Sequence, residues 1–234
     1  TLMPANNVTL NAQYQINSYA VTFVNFDKSF WDTDTLELGS SVNYPETNPN
    51  RKGYTFIGWS DSISIVPAKD SELKALYEIN AYTITFKNFD GSIVEATTLN
   101  YGEKVVVPAN PTREGHTFIG WDTTYLTMPA EDVEVIAQYS INSYTITYKD
   151  YDKSVITTSK VAYNEKTPSV ENPKREGYTF SGWNPTVPET MPAKNFETTA
   201  QYKANTYSLL FRNHKKEYIT RITDEYGKCI TAPQ

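Results

Sequence analysis

Aromatic and aliphatic side chains alternate with polar ones near the middle of the chain. Residues 82–86 read Tyr-Thr-Ile-Thr-Phe, and this period of two predicts a half-buried β-strand. An Asp-Gly pair follows at residues 90–91, which favours the tight turn of a β-hairpin. We therefore predict a hairpin whose second strand runs roughly over residues 93–99.

Two more strands are predicted after this hairpin, over residues 116–121 and 133–139. Between the hairpin and the third strand, Pro108 and Pro111 interrupt a stretch that is too short for a long helix. We expect an irregular crossover there, with room for one helical turn. The unit thus has four strands and a mainly β fold.

This pattern recurs along the whole chain. The Tyr that opens the first strand returns at nearly constant spacing, at Tyr19, Tyr82, Tyr144 and Tyr207. A Thr-Phe-x-Gly-Trp segment returns with the same spacing, ending at Trp59, Trp121 and Trp183. Self-similarity at a fixed period, here about 62 residues, is typical of tandem repeat proteins. We therefore predict an elongated array of small β units.

The repeat register divides the chain into five parts. We expect a repeat end at 1–16, complete repeats at 17–79, 80–141 and 142–204, and the first half of a fourth repeat at 205–234. The start matches residues 126–130, and Pro233 takes the place of Pro108, so we expect a window cut from a longer array. Junctions of about four residues without a Gly- or Ser-rich spacer favour a semi-rigid rod.

Composition and charge narrow the class of protein. Hydrophobic residues make up 39% and aromatic residues 14% of the chain, too apolar for a disordered tail. Cys229 is the single cysteine, so neither an intrachain disulfide nor a cysteine-based zinc site can form. A net charge of −6 disfavours nucleic acid as a partner. No apolar run approaches the ~20 residues of a membrane span, and we expect any export signals outside this window.

The motifs resemble one known family. Tyr-Thr-Ile-Thr-Phe, Tyr-Gly-Glu-Lys, Arg-Glu-Gly-His-Thr-Phe-Ile-Gly-Trp and a closing Ala-Gln-Tyr resemble the Listeria-Bacteroides repeat, or internalin B-type repeat. The resemblance implies a β-grasp-like unit, found in strings on secreted or cell-wall-attached bacterial surface proteins that adhere or present a tip domain. Repeat 1 departs from the pattern at residues 38–40 and 65–67.

The repeated aromatic residues are the first candidates for a binding site. Stacked indole rings could bind sugars, but a Gly-Trp at the end of an apolar strand is better explained by packing in the core or at a junction. We assign that structural role to Phe56, Trp59, Phe118, Trp121, Phe180 and Trp183. Trp31 follows Phe30 in repeat 1 only and has no counterpart in the other repeats, so it is a candidate ligand contact or a local packing variation.

No constellation of catalytic or metal-binding residues is evident. His116 occupies the position of Tyr54 and Tyr178, and His214 lies in a predicted turn. Four acidic turn residues do not follow the spacing of an EF-hand loop; they are Asp90, Asp152, Glu131 and Asp132. Lys87 and Lys149 fall on the polar strand face, which predicts solvent exposure rather than a buried isopeptide crosslink. We predict no catalytic residue, metal or cofactor.

The sequence leaves several functions open. The first is a non-catalytic stalk of a bacterial surface protein, in which the neighbouring repeats are the partners. If the first and last strands lie side by side, as the resemblance implies, pulling would shear the hydrogen bonds between them. The second is a multivalent array that binds host glycan or protein through a patch shared by the repeats. An accessory region of a secreted hydrolase and a filament subunit are further alternatives.

Overall fold

The computed structural model describes residues 2–232, in which fourteen strands and no helix are found. Repeat 1 contains β1 (Ser18–Val24), β2 (Phe30–Glu37), β3 (Tyr54–Trp59) and β4 (Ser71–Ile79). Repeat 2 contains β5 (Ala81–Lys87), β6 (Ile93–Asn100), β7 (His116–Trp121) and β8 (Val133–Ile141). Repeat 3 contains β9 (Ser143–Lys149), β10 (Val155–Ala162), β11 (Tyr178–Asn184) and β12 (Phe196–Ala204). A last hairpin is formed by β13 (Thr206–Arg212) and β14 (Tyr218–Glu225).

Each complete repeat forms one four-stranded sheet of the same topology. The strand order is β2-β1-β4-β3 in the first sheet, and β6-β5-β8-β7 and β10-β9-β12-β11 follow it. The outer pairs are antiparallel, whereas the central pair of first and last strands is parallel. The predicted mainly β fold, with four strands in each tandem unit, is confirmed.

The crossovers between the second and third strands contain no helical turn in the described chain. Single β-bridges fasten them instead, at Ser41↔Ile65, Lys104↔Thr127 and Lys166↔Thr190. A crossover is required because the second and third strands lie at opposite edges of the sheet, too far apart to be joined by a tight turn. Prolines within these segments remove the amide donors that a helix would need, so the room for one helical turn is not used.

The core lies on one face of each sheet. In repeat 1, Val21, Phe23, Val66 and Leu73 form a buried cluster, and Trp59 packs against it. In repeat 3, Ile146, Tyr148 and Met191 form the equivalent cluster beside Trp183. The threonines between these residues face outward, as the period of two predicts.

Contact density divides the chain into two compact units. One unit comprises residues up to Pro108 together with Thr123–Ile136, and the other comprises Ala109–Asp122 and the chain from Ala137 onward. The division falls within β8 and therefore does not coincide with a repeat boundary. Residues 2–16 form no strand and are exposed. Pro233, the expected counterpart of Pro108 in the fourth repeat, lies outside the described residues.

Candidate functional site

The first and last strands of every repeat are parallel neighbours. Their paired residues are Val21↔Ser71 to Val24↔Lys74, Ile84↔Val133 to Lys87↔Ile136, and Ile146↔Phe196 to Lys149↔Thr199. Parallel strands place the start of the first strand and the end of the last strand at opposite ends of the pair. A pull on the two ends of a repeat would therefore load the inter-strand hydrogen bonds together, in shear.

A side chain fastens the entry to each last strand. The carboxylates of Asp70 and Asp132 accept the backbone N–H groups of Ala20 and Thr83 at 2.8 and 2.7 Å. In repeat 3 the amide oxygen of Asn195 accepts the N–H of Thr145 at 2.9 Å. Asp132 thus accepts a backbone hydrogen bond that fastens the parallel strands. Within residues 2–232, no cluster of three or more His, Cys, Asp or Glu residues could hold a metal ion.

An ion pair crosses the parallel strands in repeats 2 and 3. Lys87 binds Glu134, and the Lys149 ammonium lies 2.6 Å from a carboxylate oxygen of Glu197. The two lysine side chains are 26% and 24% exposed, so each is partly covered and is paired with a carboxylate rather than extended freely into solvent. Their glutamates are 61% and 62% exposed, which limits each pair to less than about 1 kcal/mol.

One asparagine forms each junction between repeats. The Asn80 N–H donates to the Gly53 carbonyl at 2.9 Å, and its carbonyl accepts the Tyr101 N–H at 2.8 Å. The Thr55 hydroxyl also donates to the Asn80 side chain at 2.6 Å. Asn142 and Asn205 make the same three bonds. Strands β8 and β9 are separated by Asn142 alone, so the junction is shorter than predicted.

A tyrosine of the following repeat covers a glycine at each junction. Tyr101 lies so close to Gly53 that an added Cβ would fall 2.2 Å from its ring. Tyr163 on Gly115 and Tyr226 on Gly177 repeat this contact at the same 2.2 Å. All three glycines have positive φ, and only a residue without a side chain leaves room for the ring.

Neither junction element was recognised from the sequence, although the signal was present. The asparagines recur at Asn17, Asn80, Asn142 and Asn205, each two positions before an opening tyrosine. The glycine and the tyrosine that covers it belong to different motifs, and strands β3 to β6 lie between Gly53 and Tyr101. Periodicity alone could have identified the asparagine, but not the contact.

The repeated tryptophans pack into the sheets. Trp59 contacts Phe23 edge to face at a centroid distance of 4.8 Å and Phe56 at 5.4 Å. Trp183 contacts Tyr148 at 5.0 Å and Phe180 at 5.2 Å, and Trp121 contacts Phe118 at 5.5 Å. All three indoles are partly buried. Their positions are those of packing residues rather than of a flat exposed platform for sugar rings.

Trp31 lies in a β-bulge on the edge strand β2. It is the extra residue between the pairs Phe23↔Asp32 and Val24↔Phe30, and it is 36% exposed. The same bulge occurs in the other three hairpins, where its residue is Val94, Ile156 or Ile219. The bulge position is therefore common to all four hairpins, so the expectation that Trp31 has no counterpart was wrong for the position. Only the tryptophan side chain is specific to repeat 1.

An arginine joins the crossover to the first hairpin in repeats 1 and 3. The Arg51 guanidinium lies 3.6 Å from the ring centroid of Tyr54 and 4.1 Å from that of Phe26. In repeat 3, Arg175 lies 3.7 Å from the Tyr151 ring and 3.8 Å from the Tyr178 ring. Cation–π contacts of this kind contribute about 0.5–2 kcal/mol each. In each of these two repeats, the space between the two aromatic rings is occupied by the arginine of the same repeat.

The remaining polar groups form no reactive cluster in the described chain. His116 contacts Tyr163 edge to face at 5.9 Å and so takes the place that Tyr54 and Tyr178 have at the other junctions. His214 lies in the turn of the last hairpin, and Cys229 is a free, exposed thiol. In the part of the chain that the structure describes, no helix has the length and apolar character of a membrane span.

A shallow cavity of about 300 Å³ opens in repeat 3. Tyr148 and Trp183 line it from the sheet, and Pro168, Val170 and Pro188 line it from the loops. The Tyr148 hydroxyl donates to the Pro168 carbonyl at 2.7 Å. The Thr167 hydroxyl also joins the two lining loops, because it donates to the carbonyl oxygens of Pro188 and Glu189.

Comparison with known proteins places the chain among repeat proteins. The Listeria-Bacteroides repeat domain matches residues 19–75, 82–138 and 144–209. A "Putative membrane protein" of Evansella cellulosilytica is 36% identical over 201 residues, or 76% of this chain and 30% of the relative. A "Putative Gly-rich membrane protein" of the same organism is 27% identical over 258 residues, or 99% of this chain and 30% of the relative.

Internalin H of Listeria monocytogenes is 34% identical over 179 residues, which are 67% of this chain and 31% of internalin H. The chain thus spans about a third of the length of these relatives. The three domain matches cover most of the chain and fall on the three four-stranded sheets. The chain belongs to the Listeria-Bacteroides repeat family.

Proposed function

We propose that the chain is a non-catalytic, load-bearing stalk segment of an adhesin-type protein at the bacterial cell surface, where it presents a functional domain outside this sequence. The observation that carries the proposal is the parallel pairing of first and last strands in all three sheets. Shearing breaks these hydrogen bonds together, whereas peeling a hairpin breaks them one at a time. The pairing therefore suits a tether that must resist extension.

The junctions support this role because they fasten each repeat to the next. Each junction combines three hydrogen bonds at one asparagine with a tyrosine ring on a glycine. A flexible linker would let the presented domain adopt many orientations, whereas such a junction restricts rotation between consecutive repeats. We accordingly propose a semi-rigid array in which neighbouring repeats are the principal partners.

The names of the relatives favour a location at the cell envelope. Two relatives are described as membrane proteins and one is an internalin. A stalk of this kind needs no membrane insertion of its own when anchoring and export depend on other parts of the protein. We therefore propose an extracellular or cell-wall location for the segment.

Single-molecule stretching tests the proposal. We expect three force peaks of similar height, each followed by a length gain of roughly 200 Å, the extended length of about 62 residues less the folded length. Asp132→Ala removes the bond that fastens β8 beside β5 and should lower the force of one peak. Glu131→Ala changes the neighbouring carboxylate instead and is the control. Extension without discrete peaks would refute a load-bearing role.

A binding array is the second candidate function. The bulged edge strand presents an exposed apolar residue at the same position in each hairpin, with Trp31 in repeat 1. A host protein or glycan that contacts this position would bind with an avidity that increases with repeat number. Binding to host-cell panels by one-, two- and three-repeat proteins tests this candidate, and Trp31→Ala should weaken binding if Trp31 contacts the ligand.

A further inference from the structure

Strands β2 and β10 are both sheet edges. Each pairs with one neighbour only, β1 and β9 respectively, and in residues 2–232 no other strand covers their outer sides. An unpaired edge is a template for a strand from another molecule. Natural edges are usually protected by charged side chains, and β2 and β10 carry charges of different sign and number.

The charges on the two edges are of opposite sign. Strand β2 carries Asp32, Asp34 and Glu37 and no basic residue, whereas β10 carries Lys160 and no acidic residue. Glu37 pairs across its sheet with Ser18, and Lys160 with Thr145; both charged residues are exposed. Two β2 edges would repel each other, but a β2 edge and a β10 edge attract.

Apolar surface accompanies these charges. Val155 and Ile156 at the start of β10 are 58% and 38% exposed, and Phe30 and Trp31 at the start of β2 are 64% and 36% exposed. Burial of such side chains is favourable by about 25 cal/mol per Å². Residues 155–159 are apolar or hydroxyl-bearing without charge, which is the sequence type that readily accepts a pairing strand.

We propose that copies of this chain associate laterally, with the β2 edge of one copy pairing parallel to the β10 edge of another, so that the apolar starts of the two strands meet and Glu37 lies near Lys160. The contact is heterologous, so assembly can continue beyond a dimer. Strands of this length, 8 residues each, form an interface smaller than about 1,200 Å², the class of weak and transient contacts. Lateral association would cluster stalks on a surface where their local concentration is high.

Sedimentation velocity of the whole chain from about 5 µM to about 1 mM tests this association, which belongs to the weak class of interfaces. We expect the weight-average mass to rise above the monomer value of 26.6 kDa with concentration. Lys160→Glu should weaken association at least fivefold, and Glu37→Lys should do the same. The double variant Glu37→Lys/Lys160→Glu exchanges the two charges near the strand ends and should restore association in part, because Asp32 and Asp34 remain on β2.

Two matched controls separate the edges from general effects. Lys174→Glu changes the net charge of −6 by the same two units as Lys160→Glu, but it lies in a crossover and should leave association unchanged. Ile156→Ser removes apolar surface without adding charge and should weaken association, whereas Val94→Ser changes the equivalent bulge on β6 and should not. A constant monomer mass at every concentration, or a double variant that stays as weak as the single ones, would overturn the proposal.

Discussion

Substituting alanine for Gly53 tests whether the tyrosine of one repeat supports the repeat before it. The new Cβ would lie 2.2 Å from both Cγ and Cδ1 of Tyr101, so the ring must move away. The substitution also places a side chain at φ +78°, where an L-residue is strained. Gly102 has the same φ of +78° with nothing within 4 Å of its Cβ position, and Gly102→Ala therefore measures the backbone strain alone.

The two substitutions should differ clearly in free energy. Backbone strain at positive φ costs about 1–2 kcal/mol at either site. Displacing a packed ring costs a further ~1–3 kcal/mol, so Gly53→Ala should destabilise the junction by roughly 2–5 kcal/mol in total. In a Tyr101→Ala background the ring is absent, and the cost of Gly53→Ala should fall to that of Gly102→Ala.

Hydrogen exchange at single amides is the appropriate assay, because a repeat array need not unfold in one cooperative step. The amides of Asn80 and Tyr101 donate to Gly53 and Asn80 respectively, so their opening free energies report the junction. Gly53→Ala should accelerate exchange at both amides by at least tenfold relative to Gly102→Ala. Equal acceleration by the two substitutions, or no rescue by Tyr101→Ala, would refute the ring contact.

Three further predictions follow from individual contacts. Lys153→Gly should raise the free energy of unfolding, measured by urea denaturation, by about 0.5–1 kcal/mol. Lys153 has φ +71°, and the backbone strain of about 1–2 kcal/mol that glycine relieves exceeds the entropy cost of glycine. The reverse change Gly91→Lys should destabilise repeat 2. Burial, followed by the hydrogen bond to Asp150, raises the pKa of Tyr202 to about 12. The stabilisation linked to this phenol is therefore complete below about pH 10 and declines as pH rises through about 12; ultraviolet titration of wild type against Tyr202→Phe should show one late-ionising phenol, and ionisation near pH 10 would contradict this. Glu197→Gln should cost less than about 1 kcal/mol, and the loss should diminish in about 1 M salt because the Lys149–Glu197 pair is partly exposed.

Local patterns sufficed for the strands but not for the segments between them. Strand β7 was predicted with the same bounds, His116–Trp121, and β6 differs by one position at its end, because alternation and turn residues are encoded over a few neighbouring positions. The crossover of repeat 2 has no local periodicity, and its bridge joins Lys104 to Thr127 on the far side of β7. Sequence reasoning therefore left a helical turn open where the fold uses a bridge.

The sequence by itself determined the repeat period and the four strands of each unit. It also showed that Trp59, Trp121 and Trp183 occupy the same position of a repeated motif. The tertiary structure decided which strands became neighbours, and so placed the first strand parallel to the last in each sheet. It also brought Tyr101 onto Gly53 and placed Trp31 in a bulge. The physical reason is that period and turn chemistry act between residues close in sequence, whereas strand order and junction packing depend on contacts between residues far apart in the chain, which no local pattern records.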